Sequence, residues 1–82
     1  MEDIMKETIK RYIVEKIVGE EIDIANDASL FGEGIIDSLG NVKLISFLEK
    51  QYNITIEPGE ITTENFDTVN QIVWFVEQKM KT

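Results

Sequence analysis

Phe31-Gly32-Glu33-Gly34-Ile35-Ile36-Asp37-Ser38-Leu39-Gly40 is the stretch on which the reading of this chain turns. Two glycines let the backbone bend tightly and take positive φ. The apolar pair Ile35-Ile36 anchors the bend to a core. Asp37 and Ser38 then present side-chain oxygens at a helix start, where orphan amides and the positive end of the dipole await them. On spacing alone either residue serves as the helix cap. Ser38 has no base to make it a nucleophile, so it reads as the substrate of another enzyme rather than as a catalyst. A helix N-terminus also suits an attached phosphate.

On either side of this stretch the pattern is helical. Ile9, Ile13 and Ile17 repeat at four, widened by Ile4, Tyr12 and Val14, which predicts a helix over 3–18 ended by Gly19 at C′. Residues 20–37 form a long connection that Leu30-Phe31 and Ile35-Ile36 pin to the core; loops of that length are commonly functional. A second helix runs from Asp37 or Ser38 to Tyr52, with Leu39, Val42, Ile45 and Leu48 as its apolar line and Leu44 and Phe47 beside it. Asn53 stops it. Ile54-Thr55-Ile56 is extended linker, Glu57-Pro58-Gly59 a turn, and Ile61–Asn65 a single helical turn. Thr68 and Gln71 form a capping box for the last helix, whose stripe is Val69, Ile72, Val73, Val76 and Met80, with Trp74 and Phe75 on either side. The expected fold is all-α: a small four-helix bundle of three main helices and one short one, in a single domain spanning residues 1–82.

Composition narrows the chemistry. The 82 residues carry sixteen acids against eight bases, a net charge of −8, with no cysteine and no histidine. Disulfides, thiolate metal sites, Ser-His-Asp triads and His-ligated zinc are excluded. Such acidity argues against nucleic acid as a partner and suits partners with basic faces. Glu20, Glu21, Asp23 and Asp27 lack EF-hand spacing and read as a solvated acidic loop, so no metal site is expected. No long apolar run or signal-like segment occurs, and the expectation is a cytoplasmic monomer that does not insert into membranes.

Asp37-Ser38-Leu39, preceded by Phe31-x-x-Gly34-Ile35-Ile36 and followed by a helix of this period, resembles the acyl carrier protein family, and the likeness covers nearly the whole chain. The resemblance implies a non-catalytic carrier. A phosphopantetheinyl transferase would move 4′-phosphopantetheine from coenzyme A onto Ser38, with Asp37 helping the transferase to position its metal ion and the serine. Cargo would then travel as a thioester, for which the prosthetic group supplies the sulfur this chain lacks. The further partners implied are an acyl- or aminoacyl-activating ligase and a downstream transferase.

The second helix departs from the fatty-acid carriers, whose corresponding helix is strongly acidic. Here Lys43, Glu49 and Lys50 are the charged members of residues 38–52, a net of +1, leaving −9 to the remainder. Asp37-Ser38-Leu39-Gly40-Asn41-Val42-Lys43-Leu44 looks more like the D-alanyl carrier proteins and related free-standing aminoacyl carriers. Leu39, Val42, Lys43, Ser46 and Glu49 form the candidate partner face, Leu39 and Val42 having ordinary core as their alternative. Phe66 reads as core, and Trp74 as a rim residue over the long loop with an exposed anchor as its alternative. The bulky Leu44, Ile45, Phe47, Ile72 and Val76 imply a filled interior and small or polar cargo carried outside. The competing function is an unmodified acidic helical adaptor for a basic partner, in which Ser38 is only a cap.

Overall fold

In the computed structural model, which describes residues 2–81, the chain is all-helical. α1 (Glu2–Tyr12) runs directly into a π-helical segment (Ile13–Val18), so the expected first helix is one rod with two windings. The wider segment holds four β-branched residues, Ile13, Val14, Ile17 and Val18, which crowd a tighter turn. Gly19 closes it at φ +83°, its amide donating to the Val14 carbonyl five residues back at 2.9 Å. α2 (Ser38–Tyr52) ends on Asn53, which takes the left-handed conformation at φ +53°. A 3₁₀ turn (Pro58–Glu60) and the short α3 (Thr63–Phe66) lead to α4 (Val69–Met80). The Thr68–Gln71 capping box forms as expected, and no strand occurs among the described residues.

α4 lies against α1, α2 and α3 and is the centre of the packing. Its Val69, Ile72 and Val76 are wholly buried, as are Ile9, Ile13, Leu30, Leu44 and Leu48. Phe66 belongs to the same core, its ring tilted against Phe75 with centroids 5.1 Å apart.

Three expectations about facing need correction. Leu39, Val42, Ile45 and Leu48 do not share a buried side: Leu39 is 68% and Val42 65% exposed, Ile45 is half-buried and Leu48 is buried. Each three-residue step advances about 300° on a helix turning about 100° per residue, so nine residues carry Leu48 to the side opposite Leu39. The buried line runs at four-residue steps instead, through Gly40, Leu44 and Leu48. Ile4 and Met80, placed on apolar stripes from the sequence, are exposed because both lie in terminal turns with little packed against them. Trp74 stands 61% exposed on the side of α4 opposite the Val69–Val76 stripe.

Candidate functional site

The long connection is held by α3 and α4. The Leu30 amide donates to the Asp67 carbonyl at 2.7 Å, and the Ser29 hydroxyl (2.9 Å) and Phe31 amide (3.4 Å) donate to the Asp67 carboxylate. Asn70 donates to the Asn26 carbonyl, tying the start of α4 to the same connection. The Ile35 and Ile36 amides then fold back onto the Leu30 carbonyl, with Gly34 at φ +72° making the reversal. Leu30 and Ile36 are buried and Phe31 and Ile35 half-buried, so one residue of each apolar pair is the anchor. Gly32 serves differently from Gly34: its amide donates to the Ser29 hydroxyl, and a Cβ there would lie 2.6 Å from that oxygen.

This scaffold delivers Asp37 and Ser38 to the start of α2. Asp37 is the cap: its Oδ1 accepts from the Gly40 amide at 2.8 Å, and its backbone is extended. Ser38 is therefore the first helical residue, exposed and relieved of capping. Gly40, one turn on, is buried where α2 meets the π-helical segment; a Cβ there would sit 2.9 Å from Ile17 Cγ2. Gly40 received no packing role from the sequence. A lone glycine inside a helical pattern was nevertheless a signal of close packing.

The candidate partner residues do not all behave alike. Leu39, Val42, Lys43 and Ser46 are exposed on one side of α2, with Lys50 continuing the line. Glu49 is half-buried, and its Oε2 accepts from the Ile56 amide at 2.9 Å, which fastens the chain leaving α2. Beside the exposed line, the Tyr12 ring stacks on Phe47 at 4.1 Å and its hydroxyl donates to the Lys43 carbonyl at 3.3 Å. Neither that stack nor the role of Asp67 had a local signature, since both join residues more than thirty positions apart. Among the described residues no three acidic side chains converge on a cation-sized site, and no helix is long and apolar enough to cross a membrane.

Residues 8–76 match the family described as phosphopantetheine attachment site. The D-alanyl carrier protein of Streptococcus suis (strain 05ZYH33) is 39% identical over 69 residues, covering 84% of this chain and 86% of the relative. That of Streptococcus mutans serotype c is 34% identical over 71 residues, 87% of each. A chain from the crystal structure of an FAD-dependent dehydrogenase superposes with a TM-score of 0.76 at 28% identity, over 83% of this chain and 97% of that one. With the match spanning every element from α1 to α4, the chain belongs to the phosphopantetheine attachment site family and is a non-catalytic carrier bearing that prosthetic group.

Proposed function

We propose that Ser38 is the attachment point, and that this carrier presents an aminoacyl cargo to the enzymes of a dedicated biosynthetic pathway. The observation that carries the assignment is the division of labour at the start of α2. Asp37 supplies the cap, which leaves the Ser38 hydroxyl exposed beside amides that favour a phosphodiester anion. The residues present thus fit the group. When bound, it supplies the thiol on which cargo is held as a thioester. Asp37 keeps Oδ1 on the cap and offers Oδ2 to the transferase. We read residues 1–82 as one domain, a small four-helix bundle in which the long connection between α1 and α2 sets the angle at which Ser38 is presented.

Leu39, Val42, Lys43 and Ser46 form the face that meets partner enzymes, while Glu49 is given over to holding Ile56. The partners are a phosphopantetheinyl transferase, an amino-acid-activating ligase and a downstream acceptor transferase. The likeness to D-alanyl carrier proteins supports D-alanine or a similarly small amino acid as cargo. So does the wholly buried trio Leu44, Ile72 and Val76, which fills the space that a long acyl chain would need. A second reading rests on the structural neighbour: a flavin-dependent dehydrogenase as the enzyme that consumes the loaded carrier.

The test is intact mass before and after incubation with coenzyme A, Mg²⁺ and a broad-specificity phosphopantetheinyl transferase, beside Ser38→Ala. The expected result is one phosphopantetheine on the wild type alone. Incubating the product with D-alanine, ATP and the ligase that charges the Streptococcus suis relative then reads the cargo directly. An unmodified wild type that remains folded would return the chain to the adaptor reading.

A further inference from the structure

We propose that the pantetheine part of the prosthetic group rests in the groove between α1 and α2, on the stacked rings of Tyr12 and Phe47; this depends on Ser38 being the attachment point. The groove is an open trough of about 550 Å³ whose α2 bank is Val42, Lys43, Ser46, Lys50 and Gln51. Val42 lies one turn from Ser38, four residues on, so its near end adjoins the point of attachment. From Val42 to Gln51 the helix rises about 14 Å, a span that an extended pantetheine chain covers.

The chemistry of the groove matches such a chain. Pantetheine alternates apolar carbon with amides: a geminal dimethyl group beside a hydroxyl, then two peptide-like bonds. The floor is an aromatic plate, Tyr12 on Phe47 at 4.1 Å and 14° between planes, with both rings half-buried and lining the trough. The Tyr12 hydroxyl is engaged with the Lys43 carbonyl, which fixes the orientation of the plate. Along the α2 bank the Ser46 hydroxyl, the Gln51 amide and the Lys43 and Lys50 ammonium groups offer donors to amide carbonyls. Lys43, five residues beyond Ser38, also places positive charge near the anionic phosphodiester in an otherwise acidic molecule. The opposite face of α2 is filled by the buried Leu44 and Leu48. Because Val42, Lys43 and Ser46 also belong to the proposed partner face, an arriving enzyme displaces the group from its rest position and gains its reactive end at the same moment.

Isotope-labelled apo and holo protein, the latter verified by intact mass, would be compared by NMR. Loading is expected to shift the amides of Val42, Lys43, Ser46, Lys50 and Gln51. Cross-relaxation should appear between the distal methylenes of the pantetheine chain, beyond its first amide, and the rings of Tyr12 and Phe47. Ser46→Glu, a change at an exposed position, should abolish that cross-relaxation in protein loaded to completion, as checked by intact mass, while leaving the fold intact. Shifts confined to residues 36–41 would mean a group free in solvent and would overturn the proposal. Contacts to Ile61 or Phe66 would overturn it too, placing the group between α2 and α3. A folded protein that gains no mass would defeat the attachment reading itself, and the rest position with it.

Discussion

Asp37, Ser38 and Gly40 stand within one turn and do three different jobs. Asp37→Ala removes the acceptor for the Gly40 amide, and thermal or denaturant unfolding should report a loss of about 0.5–2 kcal/mol. Ser38→Ala removes no cap, so its unfolding curve should overlay that of the wild type while its mass gain disappears. If Ser38→Ala proved as destabilising as Asp37→Ala, the assignment of the cap would be wrong. Gly40→Ala should cost about 1–3 kcal/mol, because the new methyl overlaps Ile17 Cγ2 in a packed contact. Ile17→Ala in the same chain should recover part of that loss, a coupling that a double-mutant cycle measures.

At the scale of elements, the long connection is less a loop than a strap, tied by Asn70 at Asn26 and buckled by Asp67. Asp67 sits between α3 and α4, accepts from Ser29 and Phe31, and takes the Gln71 side chain on its own amide at 3.0 Å. Asp67→Ala should lower stability by about 1–3 kcal/mol, as two donors lose their acceptor. The more specific expectation is local: amide exchange should quicken across Leu30–Ile36, while α1 keeps its protection relative to global unfolding. Uniform acceleration along the chain would show instead that the strap unfolds only with the whole molecule. The π-helical end of α1 belongs to the same design, since Ile17 is the surface on which Gly40 seats α2.

Over the whole molecule, charge is distributed unevenly, and that changes which partners fit. A net charge of −8 suggested basic partners, but the exposed line on α2 carries Lys43 and Lys50, while the nearby Glu49 carboxylate is turned to the Ile56 amide. A partner that docks there meets a basic and apolar strip. Lys43→Glu with Lys50→Glu should therefore slow loading by the activating ligase at low salt, with the difference shrinking as salt is added; a faster rate would point to a basic docking surface. Stability has its own charged contact at the other end of α4, where Lys79 pairs with Glu60 at 2.9 Å. The bond from the Glu57 amide and this ammonium hold the Glu60 carboxyl below its ordinary value of 4.5. Its folded pKa lies under the unfolded one, so the stabilisation is full at neutral pH and is lost as pH falls from that ordinary value through the folded one. Melting curves between neutral pH and pH 3 should show Glu60→Gln less stable than the wild type at neutral pH, with the gap closing in acid. A gap independent of pH would assign the effect to packing.

Much was determined by local chemistry and so was legible without a structure. Four-residue spacing, the capping box of Thr68 and Gln71, the left-handed stops at Gly19 and Asn53, and the Asp-Ser-Leu start of α2 each act within a turn or two of chain. These decided the all-α class, the order of the helices and the presence of a serine at a helix start. Tertiary structure decided what depends on contacts between distant positions. It turned Leu39 and Val42 to solvent, and joined Tyr12 to Phe47 and Ser29 to Asp67. The division has a simple physical cause. A helix repeats its own geometry from short-range bonds, whereas the side it buries is set by whichever neighbour arrives there.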